Sequence, residues 1–176
     1  MILDLCYYGN PILRKKSSLI TEFNSELKEF VNNMIETMDA KNGVGLAAPQ
    51  VGKSLKIFVI RPLIEEEDKE PYLGDAEVYI NPIISNPSKD TICLDEGCLS
   101  IPRLFAPVVR PAAIDIEWLD INGKVHRERV EGYKARELMH ENDHLHGTLY
   151  IDRVDPSVKT SLKKTLQNIK KKYSKS

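Results

Sequence analysis

Residues 137–147, ELMHENDHLHG, constrain this chain more than any other stretch, because they make chemical sense only as an α-helix. His140 and His144 stand four apart, with Glu141 between them, in an H-E-x-x-H pattern. Each helical residue advances about 100°, so positions four apart share one face, one turn above the other. Two imidazoles so placed can grip one metal ion, while Glu141 is carried beside it to handle protons. Two ligands alone make a weak site, so the rest of the chain must supply a third.

Bulk properties bound what can surround that helix. At 176 residues the chain is long enough to bury a real core and reads as a single domain, 1–176. Its 41% hydrophobic and 29% charged residues are ordinary for a soluble protein. A net charge of -1 argues against wholesale nucleic-acid binding, and no DNA partner is expected. No apolar run approaches the roughly 20 residues a membrane span needs. The start, MILDLCYYGNPILRKK, lacks the pattern of a secretory signal. Three cysteines without close pairing do not form a disulfide framework. The expected setting is the cytoplasm.

Along the chain, residues 1–24 read as an extended arm with a turn at Gly9-Asn10-Pro11. Asn24 or Ser25 caps a first helix, in which Leu27, Phe30, Val31, Met34, Ile35 and Met38 form a buried stripe. Next comes GVGLAAPQVGKS, residues 43–54. A phosphate loop would need glycine where Ala47 stands, and Pro49 removes a backbone N–H, so that reading fails. What remains is either an ordinary glycine turn or a segment packed tightly against another, with Gln50 as its polar side chain. Residues 55–60 read as a buried strand, EEEDKE as a solvated loop, and 77–84 as a strand with an edge or a bend at Asn81-Pro82. Pro102 and Pro107 are expected to break regular pairing after Cys98. Ile114, Ile116 and Trp118 alternate with acids in a half-exposed strand, which returns through a type I′ turn at Asn122-Gly123. Gly132 or Tyr133 opens the histidine helix and Gly147 ends it. Asp155 and Pro156 begin a last helix, and residues 156–176 contain no acid.

Taken alone, the H-E-x-x-H pattern leaves open a metal site or a pair of hydrogen-bonded core histidines with Glu141 on the surface. His126 and His146 read as surface residues, and Cys6 and Cys93 as structural ones. The third ligand could be Cys98, Cys93 or an acid further along. One protease class places that acid near Lys164, where none is available, and another needs histidine at Tyr150. A cysteine upstream is left. Besides a small metalloprotease, a non-catalytic metal-stabilised binding module would also use such a helix.

Three motifs together resemble the peptide deformylase family of bacterial type. G-x-G-x-A-A-x-Q is met by Gly43, Gly45, Ala47, Ala48 and Gln50. E-G-C-L-S is met by residues 96–100, and H-E-x-D-H-x-x-G by His140, Glu141, Asp143, His144 and Gly147. The resemblance runs from the N-terminal arm to about Asp155. It implies an α+β fold, with short antiparallel β-sheets packed around a central H-E-x-x-H helix and an N-terminal and a C-terminal helix outside. It implies hydrolytic removal of the formyl group from N-formylmethionine on nascent polypeptides. Cys98, His140 and His144 would hold one divalent metal ion, Fe²⁺ in cells, with Zn²⁺ or Ni²⁺ able to replace it. Glu141 would move the proton, while the Gln50 amide and the Leu99 N–H would stabilise the oxyanion. The peptide would lie beside Val44, Gly45 and the backbone of residues 98–101, its methionine side chain in a pocket that includes Tyr133. Asp143 would orient a ligand or pair with a buried arginine, Arg110 being the candidate. Glu137 and Met139 depart from the family's usual apolar residue and glutamine. The basic end, residues 155–176, would be a solvated helix or a ribosome contact.

Overall fold

The computed structural model describes residues 1–174. The helical spacing of Leu27, Val31, Met34 and Met38 becomes α1 (Ser25–Ala40), whose Asn24 cap accepts a hydrogen bond from the Leu27 N–H. The apolar run after Gly52 becomes β2 (Ile57–Ile60), buried throughout. It is continuous rather than alternating because both its faces are covered. Ile57 and Val59 pack with Met34 and Met38 of α1, while Phe58 and Ile60 pack with Leu138 of the histidine helix.

β2 belongs to a five-stranded antiparallel sheet in the order β1-β2-β5-β8-β9. Its other members are β1 (Gly45–Ala47), β5 (Glu77–Ser85), β8 (Ala113–Leu119) and β9 (Val125–Glu131). Two two-stranded sheets complete the α+β architecture: β3 (Leu63–Ile64) with β4 (Tyr72–Leu73), and β6 (Thr91–Cys98) with β7 (Ile101–Pro111). The acidic loop is the exposed connection between β3 and β4. α2 (Gly132–His144) packs on the five-stranded sheet, and α3 (Pro156–Tyr173) packs against β7. A third cluster joins Ile101, Leu104 and Val108 of β7 to Tyr150, Ile151 and Leu166. No helix among the described residues is long and apolar enough to cross a membrane.

Several local expectations need correction. Pro107 does not break regular pairing, since it sits opposite Asp95 within β7, whereas Pro102 falls where the register does shift. β7 pairs on one side only, so every second N–H points away from β6, and proline in that phase forfeits no ladder bond. Pro107 and Pro111 share that phase, and Pro102 lies beside the register shift between Glu96 and Cys98. The turn after β8 is not type I′, which needs positive φ at both central residues. Gly123 has φ 80° but Asn122 does not share it, and Asp120 accepts from the Asn122 and Lys124 N–H groups instead. The bend in β5 lies inside the sheet, not at its edge: Asn81 has φ 49° and its side chain pairs with both backbone groups of Ile20. α2 ends at His144, not Gly147. Gly147 takes φ 73° two residues past the helix cap, and a Cβ there would meet the Arg14 carbonyl oxygen at 2.5 Å. Residues 175 and 176 of the basic end lie outside the described residues.

Candidate active site

The bulge at the end of β6 and the turn into β7 bring Cys98 opposite α2. The His144 Nε2 lies 3.4 Å from the Cys98 Sγ, and the two imidazoles meet edge to face with centroids 5.3 Å apart. One ligand atom each from Cys98, His140 and His144 fall within 4.8 Å of one another. Cys93 is exposed and Cys6 half-buried, both outside this cluster. Tyr150, at the position where a protease would carry its third histidine, instead stacks on His140 and donates its hydroxyl to the Leu104 carbonyl.

The residues around the cluster hold it in shape. The Glu96 Oε1 sits 2.8 Å from the His140 Nδ1, which leaves Nε2 free to face the cluster. Glu96 also receives two hydrogen bonds from Arg110, at 2.6 and 2.9 Å, and one from Arg136 at 2.6 Å. Burial alone would raise the Glu96 carboxyl, but Arg110 and His140 outweigh it and hold it far below the usual range. His144 is driven down by burial and by the nearby His140 and Arg110, which keeps it neutral, the state a ligand needs. Asp143, the residue for which Arg110 was the candidate partner, receives Arg110 at 3.1 Å and also both arms of Arg153, at 2.6 and 2.8 Å. Glu96 belongs to the E-G-C-L-S motif, and its task is visible only in the fold. Its reach to His140 spans 44 residues, which spacing along a chain does not reveal.

Gln50 is buried and locked at both ends of its amide. Its Oε1 accepts from the Ala47 N–H at 2.9 Å, so its Nε2 points toward the Cys98 sulfur at 3.4 Å and the Ser100 hydroxyl at 3.1 Å. Glu141 is buried rather than on the surface, and its Oε2 has no protein partner. Burial, with repulsion from Glu96 and Asp143, raises its carboxyl to about 7. β1 runs close enough to this carboxyl that a Cβ on Gly45 would come within 2.9 Å of the Glu141 Cδ, so a side chain there would displace the Glu141 carboxyl.

These groups open onto a cavity of about 470 Å³. Val44, Gly45, Gln50, Cys98, Leu99, Tyr133, His140 and Glu141 line it, and Val44 and Tyr133 remain partly exposed. Among the expected site residues only His144 lies behind this wall rather than in it.

The cysteine, two histidines and buried glutamate come from two of the three sequence motifs, residues 96–100 and 140–147, and Gln50 comes from the first. The family profile described as polypeptide deformylase matches residues 2–160. The chain belongs to the polypeptide deformylase family. A peptide deformylase of Novosphingobium aromaticivorans is 39% identical over 184 aligned positions, covering 97% of this chain and 98% of its own length. A plant peptide deformylase structure superposes with a TM-score of 0.89 at 37% identity, over 98% of this chain and 91% of the other. One from Plasmodium falciparum gives 0.89 at 36%, covering 98% of both chains. One from Thermotoga maritima gives 0.77 at 38%, over 89% of this chain and 99% of the other.

Within this deformylase fold Glu137 stands out. It is 6% exposed, lines the cavity, and neither carboxylate oxygen has a hydrogen-bond partner. Burial, then repulsion by Glu141 and Glu77, raises it to about 8. A carboxyl whose pKa rises on folding holds an extra proton between its ordinary value near 4.5 and about 8, so the folded state loses stability as pH climbs through that window. Glu137→Gln removes the titration. Its gain in stability over the parent is expected to be at least about 1 kcal/mol larger at pH 8.5 than at pH 5, read by thermal denaturation at both values. Equal gains would show that Glu137 is ionised in the fold.

Proposed function

We propose that Cys98, His140 and His144 hold one divalent ion and that Glu141, Gln50 and Leu99 complete a centre that deformylates N-formylmethionyl nascent chains. The observation that carries this reading is the buried, unpartnered Glu141 carboxyl beside a sulfur-and-two-imidazole cluster, in a chain of the deformylase family. The donor set fits a metal: one cysteine sulfur and two imidazoles suit Fe²⁺, Zn²⁺ or Ni²⁺ and would leave a position for solvent. When bound there, such an ion brings the pKa of water toward neutrality and polarises a carbonyl. Fe²⁺ is the assignment for cells.

Glu141 takes the proton of the attacking water as its oxygen adds to the formyl carbon, then delivers it to the nitrogen as the C–N bond breaks. The products are formate and a free amino terminus. The Gln50 Nε2, fixed by the Ala47 N–H, and the Leu99 backbone N–H receive the developing oxyanion; donors held in advance contribute about 2.7–4 kcal/mol each. The peptide extends along Val44 and Gly45, with its first side chain in the cavity beside Tyr133. In this reading α2 is the centre of the fold, and residues 1–176 form one deformylase domain in the cytoplasm. The basic end, 155–176, is a site for ribosome contact, with α3 supplying its lysines.

Formate release from a formyl-Met-Ala-Ser peptide tests this. Protein reloaded anaerobically with Fe²⁺ is expected to release formate, chelated protein is not, and Ni²⁺ is expected to restore activity. Metal uptake with no release from any formyl peptide would refute the proposal.

A further inference from the structure

The carboxyl of Glu137 has no task in the chemistry above, and the nearby Lys134, Arg136 and Tyr79 side chains are committed elsewhere. Lys134, one turn earlier on α2, is bound to Glu77 at 3.0 Å. The Tyr79 hydroxyl of β5 donates to the same Glu77 at 2.6 Å. Arg136 gives its hydrogen bonds to Glu96 and to the carbonyls of Val108 and Ile92. From β3 the Leu63 N–H lies toward Glu137 but outside hydrogen-bond geometry, and Glu141 faces it as a second acid. A buried polar group with no partner costs about 1–3 kcal/mol. Nothing in the packing recovers that cost, and the carboxyl lines the same cavity as Cys98 and Glu141. Its partner must come with whatever fills the cavity.

We propose that Glu137 is a specificity-determining residue whose carboxyl reads a hydrogen-bonding atom on the first residue's side chain, so that methionine and its sulfoxide are preferred to an isosteric hydrocarbon. The inference rests on the proposed placement of that side chain in the cavity. Beside two other acids the carboxyl keeps its proton at neutral pH and is therefore an O–H donor. A thioether sulfur is a weak acceptor and a sulfoxide oxygen a strong one. A hydrocarbon chain such as norleucine's leaves the O–H unpaired, and sites built around a polar contact discriminate strongly against ligands that lack it.

The experiment compares kcat/KM for three tripeptides, formyl-Met-Ala-Ser, its norleucine analogue and its methionine-sulfoxide analogue, on the metal-loaded wild type, Glu137→Gln and Glu137→Leu. Wild type is expected to favour sulfoxide over norleucine at least tenfold. Glu137→Gln, an amide that both donates and accepts, keeps that order, and Glu137→Leu reverses it. The ratio between peptides within one variant is unaffected by loss of folded protein, and the wild-type comparison needs no variant. Wild type that turns over formyl-Met but prefers norleucine to the sulfoxide overturns the role of Glu137 while leaving the deformylase reading intact. Wild type that turns over none of the three overturns both.

Discussion

Glu141→Gln is expected to lower kcat for formate release by about 10²–10⁴-fold while the bound metal content stays at the wild-type ratio. The loss follows from the proton path: an amide cannot accept the proton of the attacking water, and its shape and burial otherwise match the acid. Metal retention follows from the ligand set, because Glu141 is adjacent to the cluster of Cys98, His140 and His144 without being part of it. His144→Ala makes the contrast, since it removes a ligand and is expected to lose metal and activity together. The acid limb of the pH profile provides a second check. Burial raises the Glu141 carboxyl to about 7, and beside a divalent cation it titrates lower. Wild-type kcat/KM should therefore fall as pH drops below neutrality, and the residual activity of Glu141→Gln should lack that limb. A variant that keeps wild-type turnover would remove Glu141 from the reaction.

How much of this was legible beforehand depends on how far apart the interacting residues lie. Helices α1, α2 and α3 follow from local spacing and caps, and the pairing of β8 with β9 follows from alternation across a short turn. The placement of Cys98 against α2 does not. It rests on a bulge between Glu96 and Cys98 and a turn into β7, and nothing in residues 90–101 distinguishes Cys98 from Cys93 except the family motif. Pro107 is illegible for a related reason: its effect depends on whether the strand has one neighbour or two, which is a property of the sheet. Glu137 shows the limit from another side. Its place on α2 was readable, but that Lys134 and Tyr79 are both taken by Glu77 is a fact of three elements meeting. Arg153 is not legible as a partner of Asp143 because it reaches that carboxylate from beyond the end of α2, off the helix face that periodicity describes.

The network behind the cluster carries the second large expectation: Arg110→Met should destabilise the protein by about 3–5 kcal/mol. Arg110 is 3% exposed and bridges two buried acids, Glu96 on its own sheet and Asp143 on α2. Replacing it with an apolar chain of similar length fills the space but removes three hydrogen bonds to carboxylates that are out of reach of water. Arg153 still covers Asp143 and Arg136 still reaches one oxygen of Glu96, so the damage concentrates on the Glu96 Oε1, which is left with His140 alone. For a chain of this size the loss corresponds to a fall in Tm of about 6–20 °C at pH 7. The sign of its pH dependence follows from Glu96. Its folded carboxyl is held below the unfolded value near 4.5, so its contribution is complete above that value and is lost as pH falls below it. The gap in Tm between wild type and Arg110→Met should therefore be widest near neutrality and narrow on acidification below about pH 4.5. Because Glu96 also orients His140, the variant that remains folded at low temperature should bind metal more weakly, about 10–100-fold by analogy with other ligand-supporting contacts. A gap in Tm that does not change with pH would show that Arg110 acts through packing and not through the charge it shares with Glu96.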